Sequence, residues 1–281
     1  MCKEVAKIRI GFILLFVFFV CTLFAQEGAK NTLNRSTIIG IGKSILKDTY
    51  LSPLEYTGTE ISLLNERLGK TSFKSNSLLI QRLFAIDVAF TENPTHTSSE
   101  YYGNISYVAR ALYPVFEIDK FRFLAGGGGE ASLGGIYNVR NSNNPGSLKA
   151  FLHLDISGMA LYNIDRFTFR WQISTPFLGM FFSPGYGQSY YEIFTLGNDG
   201  GTVHLSSFYN CIAFKNYFTV DIPFNNITVR TGYLGNYYRT NANDIFTRIS
   251  SHQFILGFVV ETLNFSGKRA KNNNLIKSVY Y

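Results

Sequence analysis

The sequence predicts an all-β chain, an antiparallel up-and-down transmembrane β-barrel of about ten strands that follows a cleaved signal peptide. Three observations carry that expectation. The first is period-two alternation of apolar and polar residues from about Tyr50 onward, in segments of roughly ten residues or more. The second is composition: 26 Phe, 18 Tyr and 25 Gly, with only 16% charged residues, against a usual charged share of about 25%. The third is that no segment after the leader approaches the ~20 consecutive apolar residues of a membrane-spanning helix.

The leader comes first. Lys3, Lys7 and Arg9 precede an apolar run from Ile10 through Cys21, and Thr22-Leu23-Phe24-Ala25 closes it. A basic start, an apolar core and a small residue at the cut define a secretory signal. We therefore expect residues 1–25 to be a signal peptide and Gln26 the mature N-terminus. A retained helix would need a longer run. A lipid anchor at Cys21 would want a small residue where Val20 stands. Residues 26–47 are read as an N-terminal segment, 48–265 as the barrel, and 266–281 as a polar basic tail.

Ten strands are expected, near 54–66, 77–91, 101–114, 121–139, 147–163, 166–181, 188–196, 204–222, 225–240 and 247–263, within a range of eight to twelve. In the second, Leu78, Ile80, Phe84, Ile86, Val88 and Phe90 oppose Gln81 and Asp87, with Arg82 interrupting the apolar face. In the third, Ile105, Tyr107, Ala109, Ala111 and Tyr113 oppose Asn104, Ser106 and Arg110. In the fourth, Phe121, Phe123, Ala125, Ala131, Leu133 and Tyr137 oppose Arg122, Glu130, Ser132 and Asn138. The fifth is the clearest: Leu148 through Tyr162 on even positions against Lys149, His153, Asp155, Ser157 and Asn163. In the sixth, Phe167, Phe169, Trp171, Ile173, Phe177 and Phe181 share a face against Thr168, Arg170, Gln172 and Ser174. Later, Ile227, Val229, Tyr233 and Tyr237 oppose Thr228 and Arg230, and Phe254, Leu256, Phe258 and Val260 oppose Gln253 and Glu261. Strand side chains alternate between faces, so the apolar set is expected to meet lipid and the polar set the lumen. Aromatics near the strand ends, such as Tyr107, Tyr113, Tyr162, Phe181 and Tyr237, are candidate girdle residues. Short connections at 114–120, 163–166 and 222–226 alternate with longer polar ones at 92–100, 139–147, 182–190, 196–203 and 240–247, as periplasmic turns and external loops do.

The lumenal face supplies the candidate site. Asp87, Arg110, Glu130, His153, Asp155, Arg170 and Arg230 come from different strands and point inward, so they are expected to form a structural polar network that plugs the barrel. Charges confined there must pair, because an unpaired buried charge costs several kcal/mol. His153, Asp155 and Ser157 invite a hydrolase reading, but on one strand they stand about 7 Å apart per step, beyond the reach a triad requires. Gly126-Gly127-Gly128-Gly129 lacks the following helix and Lys-Ser/Thr of a phosphate loop; glycine in a strand marks a bend or close backbone approach. One mature cysteine, Cys211, builds neither a disulfide framework nor a metal cluster, and no cofactor, metal or catalytic residue is expected. The net charge of +7 sits partly in the leader and in Lys268, Arg269, Lys271 and Lys277, which argues against nucleic acid as a partner.

Tyr50-Leu51-Ser52-Pro53-Leu54-Glu55-Tyr56-Thr57-Gly58 with Glu66-Arg67, and later Asp221-Ile222-Pro223-Phe224, Arg230, Tyr238-Arg239-Thr240, Asn243-Asp244-Ile245 and Ser251-His252 before Gly257, resemble the Bacteroidetes-type outer-membrane proteins of domain of unknown function 3316. The resemblance covers about residues 48–263 and implies an outer-membrane barrel of the Gram-negative envelope, with no catalytic residues to carry over. The expected partners are outer-membrane lipid and, through loop residues such as Asn141, Asn143, Asn144, Tyr186, Tyr190 and Tyr191, an external glycan or protein. The expected role is structural or binding; a hydrolase using His153 or His252, and a small-solute pore, are the rivals.

Overall fold

A computed structural model describes residues 32–71, 78–224, 227–265 and 268–270; the expected signal peptide at 1–25 and most of the expected tail at 266–281 lie outside the described residues, as do 26–31, 72–77 and 225–226. Ten long strands, β1 (Thr32–Asp48), β2 (Tyr56–Lys70), β3 (Leu79–Glu92), β4 (Ser99–Ile118), β5 (Phe121–Asn138), β6 (Gly146–Ile164), β7 (Phe167–Phe182), β9 (Cys211–Phe224), β10 (Ile227–Ala242) and β11 (Ile245–Phe265), form the wall. Each pairs antiparallel with the next, and β11 returns to β1 from Thr32↔Leu263 to Asp48↔Thr247. The sheet therefore closes on itself and leaves no free edge. Two short strands, β8 (Val203–Ser206) on β7 and β12 (Lys268–Ala270) on β11, add to it.

The strand number agrees with the sequence reading, but two errors cancelled in reaching it. The barrel begins at Thr32, not near residue 48. β1 alternates Ser36, Ile38, Ser44, Leu46 and Asp48 inward with Thr37, Ile39, Ile41 and Lys43 outward. Its adjacent pairs Ile38-Ile39 and Ile45-Leu46 put apolar residues on both faces and hide the period. Conversely, 188–196 is not a strand. Ser189 caps a five-residue helix, α1 (Tyr190–Phe194), through a reciprocal capping box with Glu192. The expected strand 204–222 divides into β8 and β9 around 207–210.

A bulge corrects one face assignment. Asp155 pairs with Pro176 while Leu154 pairs with Leu178, so Phe177 is an extra residue on β7. Beyond it parity inverts: Leu178 and Met180 point outward and Phe181 turns into the barrel, 2% exposed against His204. Phe181 is therefore not a girdle residue. The 240–247 connection is also shorter than expected, a two-residue turn in which Asn243 and Asp244 both take positive φ, the signature of a tight hairpin. One rim thus carries the turns at Asp119 and Asp165, and the other carries 49–55, 93–98, 139–145 and the long 183–210 excursion.

Inside, the barrel is filled in strata rather than by polar groups throughout. Leu68, Leu79, Leu112, Leu124, Met159 and Leu161 pack together at the turn end. Ile38, Leu64, Val108, Tyr217, Leu234 and Ile255 form a middle cluster, and Leu46, Tyr50, Tyr56, Tyr102, Ile245 and Ile249 belong to a third at the loop end. Charged residues occupy the levels between them.

Candidate functional site

The lumenal charges form two separate constellations. The lower one centres on Glu66 of β2, which is fully buried. Arg170 of β7 reaches it through two parallel bonds, Nη1–Oε1 at 3.0 Å and Nη2–Oε2 at 2.9 Å. Arg230 of β10 adds Nη1–Oε2 at 2.7 Å and also holds Asp221 of β9, through Nε–Oδ1 at 2.6 Å and Nη2–Oδ2 at 2.7 Å. Gln81 donates to Glu66 at 2.6 Å, and Gln172 bonds Gln81 and Ser157. The Arg170 guanidinium lies 4.5 Å from the centre of the Tyr217 ring. Two cations and two anions meet in fork geometry, and pairing of this kind is the condition under which buried charges are tolerated.

The upper constellation surrounds a small cavity of about 70 Å³ lined by Asp87, Arg110, Glu130, His153, Asp155 and Lys215 among others. Arg110 of β4 grips Asp155 of β6 at 2.8–2.9 Å and stands 3.8 Å from Glu130 of β5, whose other oxygen is bonded by Lys215 of β9. Asp87, expected among the ion pairs, instead accepts hydrogen bonds from Ser62 at 2.6 Å and Asn104 at 3.3 Å. The His153 ring stacks on Phe151 with centroids 4.6 Å apart, and Tyr238 lies beyond it. A drug-sized ligand needs ~300 Å³ or more, so this chamber takes only water-sized guests.

All seven residues expected at the lumen therefore point inward, divided between the two levels. Glu66, Asp221, Lys215 and the Lys149–Asp48 pair at 2.7 Å were not anticipated. Glu66 shares its face with Leu64 and Leu68, so alternation along β2 does not mark that face as polar. His153, Asp155 and Ser157 do not converge. Asp155 is engaged by Arg110, while Ser157 Oγ donates to the Ile173 carbonyl at 3.1 Å and accepts from Gln172. His252 lies on the outer face, 2.5 Å from the Tyr233 hydroxyl.

The loop end is covered by the excursion between β7 and β8. The Tyr50 hydroxyl donates to the Gln188 carbonyl at 2.7 Å, Leu148 N donates to the Tyr190 hydroxyl at 2.6 Å, and the two rings meet edge to face at 5.8 Å. Burial is the main cause that pushes Tyr50 up to about 12, with Tyr190, Asp48 and Glu192 adding to it. Burial raises Tyr190 as well. Both phenols are thus held neutral over the mouth. Tyr190, expected as a free loop aromatic, is a packing residue, whereas Tyr186, Tyr191 and Phe194 remain exposed. Asn141 is structural too: it accepts from Asn144 N and donates to the Leu51 carbonyl.

The family described as "Protein of unknown function (DUF3316)" matches residues 11–269. No curated protein matches the chain. Among solved structures, the chain is similar to the outer-membrane protease OmpT of Escherichia coli, at 9% identity and a TM-score of 0.46, over 84% of this chain and 99% of that one. The transport unit of the autotransporter AIDA-I of Escherichia coli is similar at 11% identity and 0.45, over 86% and 92%. The attachment invasion locus protein Ail of Yersinia pestis is similar at 9% and 0.32, over 82% and 99%.

Proposed function

This chain belongs to the DUF3316 family of proteins of unknown function, and from that premise we propose an integral outer-membrane barrel, closed to solutes, that acts through its loop rim as a structural or partner-binding protein. The observation that carries this reading is the outer wall. Ile39, Ile41, Leu63, Phe84, Phe90, Ile105, Leu133, Leu154, Ile156, Trp171, Phe218, Phe254, Leu256 and Phe258 are all exposed on it. They encircle the barrel on every long strand but β10, whose Tyr233 and Tyr237 stand in register with Phe254 and Ser250. An apolar area that continuous is rare on a soluble monomer and matches the lipid belt of an outer-membrane barrel. The three apolar strata and two charged levels inside argue against a through-pore. On the loop rim, Tyr186, Tyr191, Phe194 and Tyr209 are 63–82% exposed, and such rigid aromatics suit contact with a glycan or protein surface.

The test has two readouts. Membrane fractions should contain the protein as a band that shifts on boiling in detergent, and the purified barrel should leave planar-bilayer current at baseline. A soluble, heat-insensitive protein, or large steady current steps, would overturn the proposal.

A further inference from the structure

We infer that Lys43, Lys47 and Arg239 form a binding site, on the outer wall beside the loop rim, for the phosphate of the glycolipid that makes up an outer leaflet. Lys47 of β1 stands in direct register with Arg248 of β11, and Arg248 with Arg239 of β10. Lys43 lies four positions below Lys47 on β1, opposite His252. Strand parity sends all of them outward, because their chain neighbours Ser44, Leu46, Asp48, Thr240, Thr247 and Ile249 are buried in the barrel. Lys43 and Arg239 are exposed, and Lys47 is half-buried.

The protein answers only part of this charge. Arg248 is paired with Glu55 and is not counted toward the site. Among the described residues, no carboxylate pairs with Lys43, Lys47 or Arg239. Asp48, the acid next to Lys47, points inward to Lys149. What Lys47 and Arg239 share is the Phe246 ring, with Lys47 Nζ 5.8 Å and Arg239 Cζ 5.2 Å from its centroid. A ring contact fixes where a cation stands but leaves its charge in place. Like charges directly opposite one another destabilise a sheet, and Lys47 and Arg239 both stand opposite Arg248. Glu55 offsets one of the three, and a bound anion offsets the rest. A phosphate fits best, because a guanidinium grips two of its oxygens at once while an ammonium meets it as a point charge.

The height fits the same occupant. Directly below Lys43 and His252 on the outer face stand Ile41 and Phe254, themselves in register. With Ile39 and Leu256 they are 51–59% exposed, a surface for acyl chains. The four residues from Lys43 to Lys47, at ~3.4 Å each and a tilt near 40°, rise about 10 Å along the membrane normal. The cluster therefore occupies the layer just above the apolar belt on the loop side, where the headgroups of the outer leaflet lie. The inference rests on the membrane reading above, and the experiment separates the two.

Folded protein in non-ionic detergent is equilibrated with bisphosphorylated lipid A, the same lipid stripped of phosphate, or phosphatidylglycerol, and retained lipid is counted by native mass spectrometry. The wild type should keep the phosphorylated lipid A in preference to both others, and inorganic phosphate should not displace it. The triple variant Lys43→Gln, Lys47→Gln, Arg239→Gln should lose retention by about tenfold or more, a change of ~1.4 kcal/mol. A charge-matched control toward the turn rim, Arg67→Gln, Lys120→Gln, Arg166→Gln, should keep it. Equal retention in the triple variant, equal loss in the control, or displacement by free phosphate overturns the site. Equal retention of phosphatidylglycerol overturns the glycolipid as its occupant. Arg239→Gln alone, expected to reduce retention, serves if the triple variant does not fold. A wild type that shows no boiling shift refutes the membrane reading; one that shifts yet ignores phosphorylated lipid A refutes only the site.

Discussion

Glu66 is the residue on which the lower constellation depends. It answers two guanidinium groups, and Arg230 also holds a second carboxylate, Asp221. Removing one partner of a buried pair is far costlier than never having built it, typically by 3–5 kcal/mol, because the stranded charge keeps its desolvation penalty. Glu66→Gln should therefore lower unfolding free energy by about 3 kcal/mol or more, read from reversible urea unfolding of the barrel in detergent or vesicles. Adding Arg170→Met removes a cation that has lost its bidentate Glu66 contact and should recover part of that loss, whereas Arg230→Met should recover less, because it strands Asp221. Full additivity in the double-mutant cycle would refute the coupling. In the sequence Glu66 stands out only within the family-like Glu66-Arg67 pair, with no lumenal role assigned to it. Its charge was visible, but the Arg partners lie 104 and 164 residues away along the chain, and one-strand periodicity carries no information about which strands face each other across a lumen.

At the level of elements, the legible strands are those whose two faces differ. β6 displays its faces almost residue by residue, and the structure places His153 and Asp155 inward as the alternation requires. β1 was missed for the opposite reason, since its inner positions Ile38 and Leu46 are as apolar as its outer ones. The Phe177 bulge was invisible because an extra residue shifts parity without changing composition. The glycine run of β5 was legible in kind. A Cβ on Gly128 would fall on the Ala109 carbonyl of the neighbouring strand, whereas one on Gly129 meets nothing nearer than the His153 carbonyl oxygen at 3.8 Å. Gly128→Ala should therefore force the β4–β5 backbones apart, weakening or abolishing the folded, heat-modifiable band, while Gly129→Ala should leave it intact. Equal behaviour of the two variants would show that the close approach on β5 does not matter.

Across the whole molecule, a plugged interior was expected from charges alone, but the charges sit between layers of aliphatic packing that the sequence reading assigned no place. Those inward apolar residues were hard to see because they share strand faces with the ionic ones: Leu64 and Leu68 with Glu66, Leu112 with Arg110, Met159 and Leu161 with Asp155. A narrow barrel has room for little besides side chains, and stacking several filled levels makes closure redundant. This redundancy has a measurable consequence. Leu68 and Leu112 are wholly buried in the turn-end stratum, and each Leu→Ala change there should cost about 2–5 kcal/mol through lost burial and the cavity left behind. Yet the double variant Leu68→Ala, Leu112→Ala should still leave planar-bilayer current at baseline, because the Glu66 constellation and the Ile38 stratum remain filled above the new space. Stability and conductance would then be uncoupled, with the unfolding midpoint falling while the current stays flat. Current steps from this variant, with a silent wild type, would show instead that the turn-end stratum is the sole seal and that the levels above it are permeable.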